Sequence, residues 1–242
     1  IVAGAGFKVA KHGNRAASGN CGAAEVLEAL GVKLELTAEQ VERCVNEVGL
    51  GFMFAPSFHP AMKYAGPSRR EIGIRTVFNI LGPLTNPAGA RNYLIGVPEA
   101  SLLEKMVSVL VSLGVDHALV VHGEDGMDEI SLTGKTLVYE AQGNKITNYT
   151  VGPADFGLTG VTPDSLSGGT AEENAAILKG ILSGEPGPRC DVVLANAGAA
   201  LYAGGKAASF REGVTLAGGI IKSGQASAVL DKLVTLTGSF GS

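Results

Sequence analysis

Lys11-His12-Gly13-Asn14-Arg15 sets two cations and an amide at the end of a short apolar run, just ahead of a stretch that reads as helix. Lys11, Asn14, Arg15 and Ser18 supply positive charge and hydrogen-bond donors, while Gly13, Gly19 and Gly22 let backbone come close to a ligand. A strand-to-helix junction of this kind suits an anion, because its backbone N–H groups and the helix dipole already point outward. The pattern is neither a Walker loop nor a dinucleotide fingerprint. Physics alone therefore points to a phosphorylated ligand or, equally, to an ordinary polar strand end. A second cluster, Glu124, Asp125, Asp128 and Glu129, follows another apolar strand. Paired carboxylates beyond the carboxyl end of a strand in an open α/β sheet suit Mg2+, which keeps several waters and bridges protein to phosphate. A solvated acidic turn has the same composition. Arg69 and Arg70 form a third group, able to clamp a carboxylate with two parallel hydrogen bonds or to serve as surface charges.

The elements that must position these groups alternate along the chain. Phe7 to His12 reads as a strand, and Gly22 to Leu30 as a helix stopped by Gly31. Thr37 caps a helix running to about Val48, with Gln40 at the capping-box position. Gly51 to Ala55 reads as a buried strand ended by Pro56, His59 to Tyr64 as helix, and Gly66 to Ser68 as a turn. Arg91 to Val97 and Asp116 to Val121 read as strands flanking an amphipathic helix from Glu99 to Leu113. Leu137 to Tyr139 and Lys145 to Val151 suggest a hairpin-like, antiparallel addition. From Ala171 onward the chain reads as mostly helical, including 175–182, 192–203 and 210–222. Strand, helix and strand in alternation predict an α/β domain with a mostly parallel central sheet, an antiparallel addition and flanking helices, over residues 1–242 as one unit.

Composition narrows the classes. Hydrophobic residues make up 45% and charged residues 17% of 242, which fits a compact fold with a substantial core. A formal net charge of −4 argues against a general nucleic-acid surface. No apolar run approaches the roughly 20 residues that span a bilayer, and no signal peptide is visible. Cys21, Cys44 and Cys190 have neither zinc spacing nor a disulfide framework, which favours a reducing cytoplasm and a role as small, partly buried residues. His117 and His122, on or beside an apolar strand, read as packed or hydrogen-bonded rather than catalytic.

Arg69-Arg70-Glu71-Ile72-Gly73-Ile74 runs into RTVFNILGPLTNP at 75–87. Together with KHGNR at 11–15, VLEALGV at 26–32 and GMDEIS at 126–131, this segment resembles anthranilate phosphoribosyltransferase over essentially the whole chain. The resemblance implies the large domain of the nucleoside phosphorylase and phosphoribosyltransferase-like fold. It also implies transfer of phosphoribose from phosphoribosyl pyrophosphate to anthranilate, a step of tryptophan biosynthesis, with Mg2+ as cofactor. By the same resemblance, Lys11, His12, Gly13, Asn14, Arg15, Ser18, Gly19 and Ala23 cradle phosphoribosyl pyrophosphate. Arg69 contacts the anthranilate carboxylate and Asn14 the same substrate, with His12, Ala55, Pro56 and His59 lining the acceptor's path. Asp128 and Glu129 match the acidic pair that holds magnesium, whereas Glu124 and Asp125 are read as surface charges. Cys21 and Ala23 depart from a common pattern that has serines there, so Ala23 offers a phosphate only its backbone N–H. The Gly82-to-Pro87 segment reads as structural, and no residue is assigned as a general base, since an aromatic amine is already neutral at pH 7.

Family members carry an upstream helical domain and a glycine-rich loop that holds the diphosphate; neither is seen before Ile1. The chain is therefore read as a fragment, with weak or no turnover expected from these 242 residues alone. The family pairs mainly through that helical domain, which implies a homodimer for a chain that contains it and leaves pairing of this one open. A pyrimidine nucleoside phosphorylase-like enzyme and a nucleic-acid-binding relative on the same scaffold are the alternatives. The acidic balance, Asn14 and Arg69 weigh against the second.

Overall fold

The computed structural model describes residues 1–16, 21–59, 82 and 84–241. Strand β1 (Val9–Gly13) pairs in parallel with β2 (Leu50–Phe54), in a register that sets His12 against Met53 and Gly13 against Phe54. Two helices connect them, α1 (Ala23–Ala29) and α2 (Ala38–Glu47). Past α1 the chain turns at Gly31, whose φ of 94° is costly for any residue with a Cβ. Thr37 and Gln40 form the expected capping box: Thr37 Oγ1 accepts from the Gln40 N–H at 3.3 Å, and Gln40 Oε1 accepts from the Thr37 N–H at 2.9 Å. Val41 and Cys44 of α2 then pack on Phe52 and Phe54 of β2.

A four-stranded sheet follows. β3 (Asn92–Gly96) and β4 (His117–Gly123) are parallel, joined through a 3-10 turn at Ala100–Leu102 and helix α4 (Leu103–Ser112), a short α3 (Ala55–Phe58) having come earlier. β5 (Thr136–Gln142) and β6 (Lys145–Val151) add an antiparallel hairpin. The apolar run of β4 is explained by cover on both faces. Ala118 and Val120 meet Leu103, Met106, Val107 and Leu110 of α4. Leu119 and Val121 point the other way, toward the alanines of α6 (Pro188–Ala203). Each such fully buried aliphatic side chain contributes roughly 1.5–3 kcal/mol.

The remaining helices are α5 (Ala171–Leu182), α7 (Phe210–Lys222) and α8 (Gln225–Ser239). Helices α6 and α7 cross at two glycines: a Cβ on Gly213 would lie 2.3 Å from the Gly198 carbonyl oxygen, so no larger residue permits this approach. Leu233 of α8 closes the core around β2.

The α/β architecture follows the expectation, with parallel pairing in β1–β2 and β3–β4 and an antiparallel addition in β4–β5–β6. One element differs. Helix was expected from His59 to Tyr64, but the helical turn lies at Ala55–Phe58 and His59 follows it; residues 60–64 lie outside those described. Pro56 occupies the first turn, where its missing N–H leaves no bond unmade, so it ends the strand and opens the helix together. Among the described residues no helix is long and apolar enough to cross a membrane, and Cys21, Cys44 and Cys190 are unpaired.

Candidate active site

β1 delivers its basic residues at its carboxyl end, beside the turn that leaves β2. Gly13 pairs with Phe54, so Ala55 and Pro56 follow directly alongside. The N–H of His59 returns to the Ala55 carbonyl at 2.9 Å and brings its ring back toward β1. Nε2 of His59 stands 3.1 Å from Nε2 of His12, with ring centroids 4.9 Å apart and planes at 80°. His12 Nδ1 is 3.2 Å from the Gly82 carbonyl. Burial holds the His12 pKa below its ordinary value, His59 and Lys11 add to that, and the Gly82 contact works the other way. Asn86 Nδ2 donates to the Ala10 carbonyl at 2.9 Å and so braces β1. Gly13 makes room for an aromatic face: a Cβ there would sit 3.0 Å from the Phe52 ring.

At the junction with α1 the preference for an anion is met from within the chain. The Glu25 carboxylate accepts from the N–H groups of Ala16 and Gly22, both at 3.1 Å. Its own N–H, and then these two, hold its pKa below the usual carboxylate value. Arg15 Nη2 bonds Glu28 Oε1 at 2.5 Å and its guanidinium lies 5.2 Å from the centre of the Phe54 ring. Asn14 Oδ1 accepts from the Arg15 N–H at 2.8 Å. Ala23 is the first, exposed residue of α1. Ser18, Gly19, Arg69 and Arg70 lie outside the described residues.

The acidic segment folds over the carboxyl ends of β3 and β4. Gly123 N–H donates to Met127 O at 2.8 Å and Gly126 N–H to Gly123 O at 2.9 Å, closing a tight loop. Asp125 is exposed, as expected of a surface charge, but it also ties the loop together. It accepts from Ser131 Oγ at 2.5 Å, from Thr133 Oγ1 and from the Met127 N–H at 3.1 Å, and so organises the loop. Asp128 and Glu129 are left exposed to solvent. Glu129 keeps solvent access, yet surrounding protein and the neighbouring Asp128 raise its pKa, while Lys11 lowers it. Two adjacent carboxylates of hard oxygen, crowded enough to repel each other, fit a magnesium ion that keeps most of its waters.

Two residues essential to this arrangement were not singled out from sequence. A Cβ at Gly96, the last residue of β3, would fall 1.5 Å from the Asp128 carbonyl oxygen, so the backbone of the acidic loop lies directly on that glycine. A glycine closing an apolar strand was the available signal. Asn196 of α6 holds the other side: Oδ1 accepts from the Ile130 N–H and Nδ2 donates to the Ile130 carbonyl, both at 3.0 Å. Ile130 is fully buried. Asn196→Ala is expected to cost about 2 kcal/mol by leaving that buried peptide unpaired, read as a lower urea midpoint; an unchanged midpoint would refute it.

His117 and His122 are hydrogen-bonded, as expected. His122 Nδ1 meets the Val97 carbonyl at 2.9 Å, and His117 Nε2 meets Glu140 Oε1 at 2.7 Å. The second contact belongs to a buried network at the opposite end of the sheet from the acidic loop.

A family profile described as "Glycosyl transferase family, a/b domain" matches residues 1–227. An anthranilate phosphoribosyltransferase of Dehalococcoides mccartyi is 55% identical over 244 aligned positions, which cover 100% of this chain and 72% of the relative. The crystal structure of anthranilate phosphoribosyltransferase from Thermus thermophilus superposes with a TM-score of 0.93 at 47% identity, covering 98% of this chain and 71% of that one. The Saccharomyces cerevisiae enzyme, solved in complex with phosphoribosyl pyrophosphate and Mg, superposes with a TM-score of 0.88 at 28% identity, covering 99% and 68% respectively.

Proposed function

The chain belongs to the anthranilate phosphoribosyltransferase family, and we propose that it transfers the phosphoribosyl group of 5-phosphoribosyl 1-pyrophosphate to anthranilate. The products are N-(5-phosphoribosyl)anthranilate and pyrophosphate, a step of tryptophan biosynthesis. The observation that carries this reading is the seating of the Asp128–Glu129 pair at the carboxyl ends of the parallel strands β3 and β4.

Pyrophosphate leaves with high negative charge while the ribose carbon becomes cation-like, so most of the catalytic work is electrostatic. Lys11 supplies a point charge toward the phosphates, and Ser18, Gly19 and the backbone at Ala23 supply donors around them. Asp128 and Glu129 hold Mg2+, which when bound supplies positive charge against phosphate oxygens. Arg69 pairs with the acceptor's carboxylate and Asn14 with its amine side, holding the nucleophile in line. His12, Ala55, Pro56 and His59 form the wall along which the aromatic ring enters. The amine attacks as the neutral base, so no side chain need take its proton beforehand. The unpaired cysteines support a reducing cytoplasm as the site of action. A small-molecule enzyme of this kind needs neither nucleic acid nor membrane, and a homodimer is the proposed assembly for a chain that also carries the helical domain.

The test follows anthranilate fluorescence in protein that carries residues 1–242 behind the helical domain and glycine-rich loop expected above, with phosphoribosyl pyrophosphate and Mg2+. Signal loss should require all three. Arg69→Ala should raise the KM for anthranilate by tenfold or more, since a charge-assisted hydrogen bond is worth roughly 1.5–3 kcal/mol. Folded protein that leaves the fluorescence unchanged would sink the assignment and favour phosphorolysis of a pyrimidine nucleoside as the next reaction to assay.

A further inference from the structure

The His12–His59 contact has the geometry of half a metal centre. Nδ1 of His12 faces a carbonyl oxygen, that of Gly82, which cannot donate a proton. That nitrogen must therefore carry the ring's N–H, and Nε2 of neutral His12 presents a lone pair. A ring N–H donated to a backbone carbonyl is also how metal-bound histidines are usually oriented. Nε2 of His59 stands 3.1 Å from that lone pair. Two imidazoles bound at about 2.0–2.1 Å in a tetrahedron have nitrogens roughly 3.3 Å apart, so little movement separates the observed pair from a chelate. The ring planes, 80° apart, let both lone pairs converge without stacking.

We infer that His12 and His59 form a two-histidine site for a borderline-soft dication of the Zn2+ class, with water completing the tetrahedron. Without metal, His59 Nε2–H donates to His12 Nε2. Binding moves that proton to Nδ1 of His59 and exchanges one hydrogen bond for two metal–nitrogen bonds. Both rings are only half-buried, so solvent reaches the remaining positions. Mg2+ prefers oxygen and does not compete for imidazole, which separates this site from Asp128 and Glu129. The ammonium of Lys11, next in the chain, opposes a dication and limits affinity. A bound ion would stand in the path assigned above to the aromatic acceptor and compete with it; that consequence alone rests on the proposed function.

Histidine ring NMR signals and calorimetry test the site directly, with Zn2+ added to the chain in excess Mg2+ that saturates the carboxylates. The sequence has four histidines, and Zn2+ should shift the ring signals of His12 and His59 while sparing His117 and His122. His59→Gln and His12→Gln should each weaken Zn2+ binding by more than the roughly 10–100-fold that losing an outer-shell partner costs. His122→Gln should leave it unchanged. No Zn2+ uptake by the unaltered chain, or uptake that persists in both His12→Gln and His59→Gln, would overturn the inference.

Discussion

Glu140→Gln is expected to destabilise the fold by about 3 kcal/mol at pH 7, an effect that fades in acid. Glu140 lies on β5 with its side chain only 7% exposed. Its Oε1 accepts from His117 Nε2 at 2.7 Å, Gln142 Nε2 at 2.8 Å and Tyr202 OH at 2.8 Å; Oε2 accepts from Tyr149 OH at 2.6 Å. Burial by itself would raise the carboxyl pKa, but hydrogen bonds from His117, Tyr149, Tyr202 and Gln142 outweigh it and bring it from 4.5 to about 2. Burial and then Glu140 push the Tyr202 phenol up to about 12, and Tyr149 is raised in the same way, so both remain donors. A folded-state pKa below the unfolded one stabilises the fold above pH 4.5, and that contribution is lost as pH falls through about 2. The shift corresponds to roughly 3 kcal/mol. Glutamine keeps one acceptor oxygen and turns an amide donor toward groups that are themselves donors. Urea midpoints of the two proteins should therefore differ widely at pH 7, draw together as pH falls, and converge only below about pH 2. A gap of equal size at both pH values would show that packing, rather than charge, accounts for the loss.

The two ends of the sheet were legible to different degrees, and the reason is physical. Local signals read correctly from sequence depend on neighbours along the chain. Thr37 and Gln40 cap a helix together, and Gly31 turns the chain after α1. The apolar run of β4 and the hairpin closing at Lys145 follow from periodicity and turn chemistry. What remained hidden depends on groups distant in sequence. Glu25 fills the α1 junction that looked open to an outside anion because Ala16 is brought back beside it. Asp125 is exposed as expected, but nothing in sequence shows that Ser131 and Thr133 bond to it. Glu140 alternates with apolar residues as an outward-facing polar residue would, and only Tyr202 from α6 and Tyr149 from β6 show that its face is buried. Lys11, His12, His59, Asp128 and Glu129 were named for the candidate site chiefly through the family resemblance, and the structure sets His59 beside His12. The packing of the site was not legible, because Gly96 and Asn196 act only through the residues they touch.

Gly96→Ala is expected to lower kcat by about a hundredfold, although residue 96 carries no reacting group. The closest contacts that real Cβ atoms make are near 3.0 Å, whereas this one would begin 1.5 Å from the Asp128 carbonyl oxygen and 2.3 Å from its carbonyl carbon. Either β3 or the 127–129 backbone must retreat. β3 is fixed by its parallel register with β4 and by Ile95 in the core beneath α4, so the loop yields. On the far side, Asn196 ties Ile130 to α6, which converts the retreat into a tilt of Asp128 and Glu129 rather than a smooth translation. A displacement of about 1 Å in a catalytic group can cost on the order of 10²-fold in rate. Magnesium dependence distinguishes this from simple unfolding. The variant should require more Mg2+ for half-maximal rate and recover part of its activity as Mg2+ is raised, with far-ultraviolet circular dichroism unchanged. Asp128→Ala, which removes the carboxylate itself, should not recover. Wild-type rate and Mg2+ dependence in folded Gly96→Ala would mean that the acidic pair does not hold the ion.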